Sequence, residues 1–187
     1  MALPQPIYTT PKEYLRLDRN SPVRHEYVDG QAYALAGGTL DLSTICVNLL
    51  SLLHQRMQEG PCRVYNSDAR VRLSAMRYVY PDLSISCEPR ERGRTDILTA
   101  PRVVFEVLSP STQEYDRGEK FGYYRECPSL QEYVLVASEQ AAIEVYQRQE
   151  EGADWTLRAY GPGDAVTLAS APVSFPLDAA YANVLFS

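Results

Sequence analysis

Apolar positions recur at helical spacing between residues 40 and 58, where Leu42, Ile45, Cys46, Leu49, Leu50, Leu53 and Met57 line one face before Gly60-Pro61 stops the run. Upstream, Thr10-Pro11-Lys12-Glu13 has the form of a capping box with proline at the first helical position, which predicts a short helix to about residue 18. Two short runs, 24–28 and 31–35, flank Asp29-Gly30, the favoured two-residue hairpin turn. Beyond residue 61 the period changes to two. Residues 62–73 read as one long or broken strand, 78–86 as a second, and 102–108 as a third that is apolar enough to be buried on both faces. A polar loop spans 88–99, and 115–126 reads as a helix ended by Cys127-Pro128. Residues 132–136 read as another buried strand, 142–148 and 155–160 as a hairpin, and 177–183 as a weak helix in a loop-rich tail.

The core order is helix, three strands, helix, strand. The step from 103–108 through a helix to 132–136 is a βαβ crossover, so the expected fold is a mixed α/β (α+β) sheet flanked by helices. A chain of 187 residues with no internal repeat or low-complexity linker is expected to form a single domain over 1–187.

Composition narrows the function. Basic residues number 18 against 24 acids, for a net charge of −6, which argues against a protein that coats a nucleic-acid backbone but leaves room for a local basic patch. Only Lys12 and Lys120 are lysines; the other 16 basic residues are arginines. No apolar run approaches the roughly 18 residues of a membrane span and the N-terminus lacks a signal-peptide core, so a soluble, cytoplasmic protein is expected. The cysteines at 46, 62, 87 and 127 form no CxxC pair and are read as reduced core residues. His25 and His54 are too few for a histidine-rich metal site, and neither sits in a nucleophile-elbow context.

Charged residues inside apolar strands are the informative anomaly, because an unpaired buried charge costs several kcal/mol. Asp82 follows Tyr80-Pro81 in a strand otherwise made of Val79, Leu83 and Ile85, and Glu106 interrupts Val103-Val104-Phe105-Glu106-Val107-Leu108. Two such carboxylates converging on one sheet edge would suit a hard ion such as Mg²⁺ or Mn²⁺; equally, each could be paired with an arginine.

Tyr80-Pro81-Asp82 followed by Phe105-Glu106-Val107-Leu108-Ser109-Pro110-Ser111-Thr112 resembles the Uma-type endonuclease family, long catalogued as a domain of unknown function and placed in the restriction-endonuclease-like PD-(D/E)XK superfamily. The resemblance extends over Arg24-His25-Glu26-Tyr27-Val28-Asp29-Gly30, Asn66-Ser67-Asp68-Ala69-Arg70-Val71-Arg72, Tyr115-Asp116-Arg117-Gly118-Glu119-Lys120-Phe121 and Pro128-Ser129-Leu130-Gln131-Glu132-Tyr133-Val134-Leu135-Val136. It implies an αβββαβ core, the order read from periodicity, with added hairpins at both ends. It also implies Asp82 and Glu106 as metal ligands. The superfamily's usual lysine, two residues after the acid, is replaced by Leu108; the residue matching a lysine displaced to the following helix is Lys120. Glu26 matches the acid of the family's early block and is a third candidate ligand, or else a cross-strand partner for an arginine. Asp116 lies one turn before Lys120 and could orient it.

Together these imply a Mg²⁺- or Mn²⁺-dependent hydrolase of phosphodiester bonds in DNA, with Asp82, Glu106, Lys120 and Glu26 at the site and a homodimer serving both strands. Arg90, Arg92, Arg94 and Arg102 could hold backbone phosphates, or simply solvate their loop among Glu88, Glu91 and Asp96. From another class, the chain could be a nuclease-fold module that binds nucleic acid or protein without cutting. A two-carboxylate glycosidase is disfavoured, because nothing besides the acids supports sugar recognition.

Overall fold

In the computed structural model, which describes residues 7–93, 96–149, 154–171 and 173–186, most of these elements have visible local causes. After a short strand β1 (Ile7–Tyr8), the Thr10 hydroxyl accepts the Glu13 N–H at 3.3 Å and the Glu13 carboxylate accepts the Thr10 N–H at 3.1 Å, which starts α1 (Pro11–Asn20). Strands β2 (His25–Val28) and β3 (Gln31–Ala34) close through Asp29-Gly30 at φ 47° and 98°, the left-handed pair that a two-residue turn demands. Then α2 (Leu40–Met57) buries Ile45, Leu49, Leu53 and Met57, the periodic face of the sequence.

The expected strands 62–73 and 78–86 are each broken in two. They form β4 (Arg63–Asn66), β5 (Arg70–Ser74), β6 (Arg77–Val79) and β7 (Leu83–Ser86). The second break falls at Tyr80-Pro81-Asp82, where Pro81 has no N–H to continue a ladder. The chain uses both breaks to cross between sheets. One sheet runs β1-β3-β2-β6-β5-β8, with β8 at Ile97–Leu98. The other runs β12-β11-β10-β9-β7-β4, with β9 at Pro101–Leu108. Its β10 (Glu132–Ala137) lies parallel to β9, as the crossover requires, while β11 (Ile143–Arg148) and β12 (Trp155–Tyr160) complete it as an antiparallel hairpin.

The crossover helix is also split, into α3 (Gln113–Arg117) and α4 (Glu119–Arg125). Gly118 separates them at ψ −95°, where its N–H reaches the carbonyls of Glu114 and Tyr115 and a Cβ would lie 3.1 Å from the Glu114 oxygen. The tail holds a hairpin that the sequence pattern did not reveal, β13 (Ala165–Leu168) with β14 (Val173–Pro176), before α5 (Leu177–Ala180). The αβββαβ order survives, and the mixed α+β architecture is as expected.

The cysteine expectation is corrected for one pair. Strands β4 and β7 align Arg63 with Ser86, so Cys62 and Cys87 are the next residues facing each other, and they form a disulfide. Their separation of 25 in sequence hid a cross-strand neighbour. Cys46 and Cys127 are free.

Strand β9 is the spine of the core. Val103, Phe105 and Val107 pack in one cluster with Ile45, Leu49 and Leu53 of α2, while Val104 and Leu108 share the other side of the sheet with Tyr133 and Leu135 of β10 and pack with Tyr124. By that alternation Glu106 points to the second side, toward α4. No described helix is long and apolar enough to cross a membrane.

Candidate active site

Glu26 comes from the first sheet, Glu106 from the second, Asp82 from the seam between them, and Lys120 from the first turn of α4. The side chains of Glu26, Glu106, Asp116 and Lys120 are all buried, which is rare for charged residues unless paired. The Lys120 Nζ lies 2.9 Å from Glu106 Oε1, 3.2 Å from Glu26 Oε1 and 3.8 Å from Asp116 Oδ1. Strands β7 and β9 align Leu83 with Phe105, which carries Asp82 alongside Glu106; there the Asp82 Oδ2 accepts the Val107 N–H at 2.7 Å. All four sequence candidates therefore fall in one place, with Asp116 as a fifth member.

Two partners went unnoticed in the sequence. The Tyr124 hydroxyl donates to Glu106 Oε1 at 2.6 Å, so one carboxylate oxygen takes bonds from two residues a turn apart on α4. Spacing i,i+4 from Lys120 was the available signal. The Tyr80 backbone N–H donates to Glu26 Oε1 at 3.2 Å, which nothing in the sequence foretold.

Electrostatically the cluster has too much acid. Burial pushes Glu106 up to about 8, against the pull of Lys120 and with the push of Asp82, Asp116 and Glu26. Burial likewise raises Asp82, held back by the Val107 N–H and Lys120, and raises Asp116. For Lys120 burial acts downward, but the fields of Glu106, Glu26 and Asp116 overcome it and hold the ammonium well above the usual lysine value. Lys120 is thus a fixed positive charge rather than a base.

Other residues named in the sequence lie outside the cluster. Ser109 belongs to a turn, its hydroxyl 3.0 Å from those of Ser111 and Thr112. Asp68 is exposed and paired with Arg24. Leu42 packs against the α2 core, and Lys12 is exposed on α1. Of the loop arginines, the described Arg90, Arg92 and Arg102 are not at the site. Arg102 lies four residues from Glu106, about 13 Å along the strand, at the other end of β9. Its Nε donates to the Ser170 carbonyl at 2.7 Å, Arg92 donates to the Pro61 carbonyl, and Arg90 stands in solvent near Glu88. Arg94 lies outside the described residues.

For a divalent cation the donor chemistry fits: hard carboxylate oxygens, held in place, in a cluster whose acids outnumber its one ammonium. Among the described residues, however, no three His, Cys, Asp or Glu side chains are drawn together tightly enough to hold an ion. Glu26 is engaged with Lys120 and the Tyr80 N–H, on the lysine's side of the cluster.

Comparison with known proteins bears on the family and the fold. Residues 11–180 match the family described as "Uma2: Putative restriction endonuclease". An uncharacterized protein of Synechocystis sp., slr1290, is 40% identical over 178 residues, covering 95% of this chain and 93% of its own. A second uncharacterized Synechocystis protein, sll1609, is 30% identical over 142 residues, covering 74% of this chain and 80% of its own. The crystal structure of a "putative nuclease belonging to DUF820" from Anabaena variabilis superposes with a TM-score of 0.76 at 20% identity, covering 95% of this chain and 99% of that one.

Proposed function

This chain belongs to the Uma2 family, a nuclease family of restriction-endonuclease-like fold, and on that premise we propose that it is a divalent-metal-dependent endonuclease hydrolysing phosphodiester bonds of DNA. The observation that carries the reading is the ammonium of Lys120, buried between Glu106 and Glu26 and held protonated beside Asp82. A solvated surface lysine would be none of these things.

Asp82 and Glu106 would hold Mg²⁺ or Mn²⁺, with Glu26 as the third acid, and the ion when bound supplies a Lewis acid and lowers the pKa of water. The chain's own groups do the rest. Lys120 offsets negative charge that builds on the phosphate, a task that needs a positive charge fixed in place before reaction. Tyr124 keeps Glu106 turned, and the Val107 N–H does the same for Asp82. Asp116 steadies Lys120 from the preceding helix. On this reading the protein works in the cytoplasm, with two copies on one duplex, since double-strand cutting often uses two active sites; light scattering that finds only a 21.0 kDa particle in solution, and one protein copy per duplex when DNA is added, removes the dimer.

The test is plasmid cleavage with Mg²⁺ or Mn²⁺, together with calorimetric titration of the metal. Wild type should bind and cut, Asp82→Ala should do neither, and Lys120→Arg should fold without cutting. Identical behaviour of wild type and Asp82→Ala in both assays would sink the proposal. One observation favours a second reading, a nuclease-fold module that binds nucleic acid without cutting: Lys120 already bonds Glu106 and Glu26, and no three-ligand group stands among the described residues. DNA binding by wild type with no cleavage in either metal would select it.

A further inference from the structure

We infer that Asp18, on α1 and outside the acid–lysine cluster, is a positioning residue that sets Glu26 against Asp82 and Lys120. Asp18 is buried, and its two oxygens are divided between the two chain segments that carry those acids. Oδ1 accepts the backbone N–H of His25, the residue before Glu26, at 2.7 Å. Oδ2 accepts the Tyr80 hydroxyl at 2.5 Å and Arg70 at 2.6 Å, and Arg70 Nε donates to the same hydroxyl at 2.9 Å. The His25 carbonyl is held as well, by the Tyr14 hydroxyl at 2.7 Å, so α1 grips the peptide groups on both sides of His25.

From Tyr80 the connection runs two ways. Its backbone N–H donates to Glu26 Oε1, the oxygen that faces Lys120. Two residues on, past the rigid Pro81, stands Asp82. One carboxylate on α1 therefore indexes the start of β2 to the seam between the sheets. A matched ion pair alone would stabilise the fold without needing a bond to either acid-bearing segment. Here the bonds end one residue from Glu26 and two from Asp82.

Only the kinetic arm of the test rests on the nuclease reading. With two lysines in the chain, protein labelled with ¹⁵N-lysine gives two side-chain Nζ signals, one from exposed Lys12 and one from buried Lys120. Tyr80→Phe and Asp18→Asn should each move the Lys120 signal and leave that of Lys12 in place. The same variants should lower kcat by about 10- to 100-fold with little change in KM, as misplaced reacting groups do. Thr10→Ala is the control. It removes the capping box of α1 and lowers Tm without touching these bonds, so it should move neither the Lys120 signal nor kcat. Folded Tyr80→Phe with an unshifted Lys120 signal overturns the inference, and so does Thr10→Ala shifting that signal equally. Should Asp18→Asn fail to fold, Tyr80→Phe decides. Should wild type not cleave, the nuclease reading falls and the spectroscopic arm decides alone.

Discussion

Two buried charged clusters lie on either side of Tyr80, and they are built on opposite principles. Around Asp18 the charges match: buried Asp18 faces buried Arg70, Arg70 also meets Asp96, which pairs in turn with Arg19, and the Tyr80 hydroxyl and the N–H and ring Nδ1 of His25 complete the shell of Asp18. Burial acts to raise the Asp18 pKa, but the bonds from Tyr80, Arg70 and the His25 N–H outweigh it and hold the carboxyl below its usual range. Around Lys120 the charges do not match. Burial there wins over the single ammonium, and Glu106, Asp82 and Asp116 are all raised. A cluster that needs nothing further is a structural joint. One left with surplus acid is suited to receive a cation, which is the physical reason for proposing it as the active site.

The largest expected effect comes from breaking the matched cluster. Arg70→Met leaves Asp18 as an uncompensated buried charge and should cost about 3–5 kcal/mol in urea unfolding. In the unmatched cluster a comparable loss of charge should do the reverse. Glu106→Gln keeps an acceptor for Tyr124 and Lys120 while removing surplus negative charge, so stability should hold or rise while cleavage disappears. A loss of stability as large as that of Arg70→Met would erase the distinction between the clusters.

Acidity separates them next. Asp18, depressed in the fold, contributes stability that is complete above its unfolded value of about 4 and is lost as pH falls through the folded value. Glu106 runs the other way. Raised to about 8, it contributes stability that is complete below its unfolded value of about 4.3 and is lost as pH rises through the folded one. Urea midpoints followed across pH in metal-free buffer should decline on both sides, and Glu106→Gln should flatten the alkaline side only. The smallest effect belongs to the exposed loop: Arg90→Gln should change stability by less than about 0.5 kcal/mol and leave cleavage unaltered, because Arg90 belongs to neither cluster. A tenfold loss of cleavage would restore the loop as a phosphate clamp.

What the sequence disclosed follows from how local each cause is. The capping box at Thr10, the turn at Asp29-Gly30 and the apolar face of α2 act within a few residues, and all three stand as read. Glu106 was legible as a charge where none belonged, and the motif resemblance, not periodicity, drew attention to Lys120. The remainder depends on chain segments far apart. Asp18 and Arg70 are separated by 52 residues, and Cys62 meets Cys87 only because β4 pairs with β7. The split of 78–86 into strands of different sheets had one local sign, Pro81, in a run that otherwise alternates like a single strand.

The seam between the sheets has a consequence for the life of the chain before it is finished. Glu26, Asp82, Glu106 and Lys120 are spread over half the sequence, and β9, which carries Glu106, gains its parallel neighbour only when residues 132–137 arrive. Contacts of this range form late, after the local helices and hairpins. An amino-terminal piece emerging during synthesis holds acids without their lysine, or a lysine without the strand that packs beneath its helix. On the proposed reading, a centre divided in this way has no working half, so a chain interrupted before residue 137 would not cut.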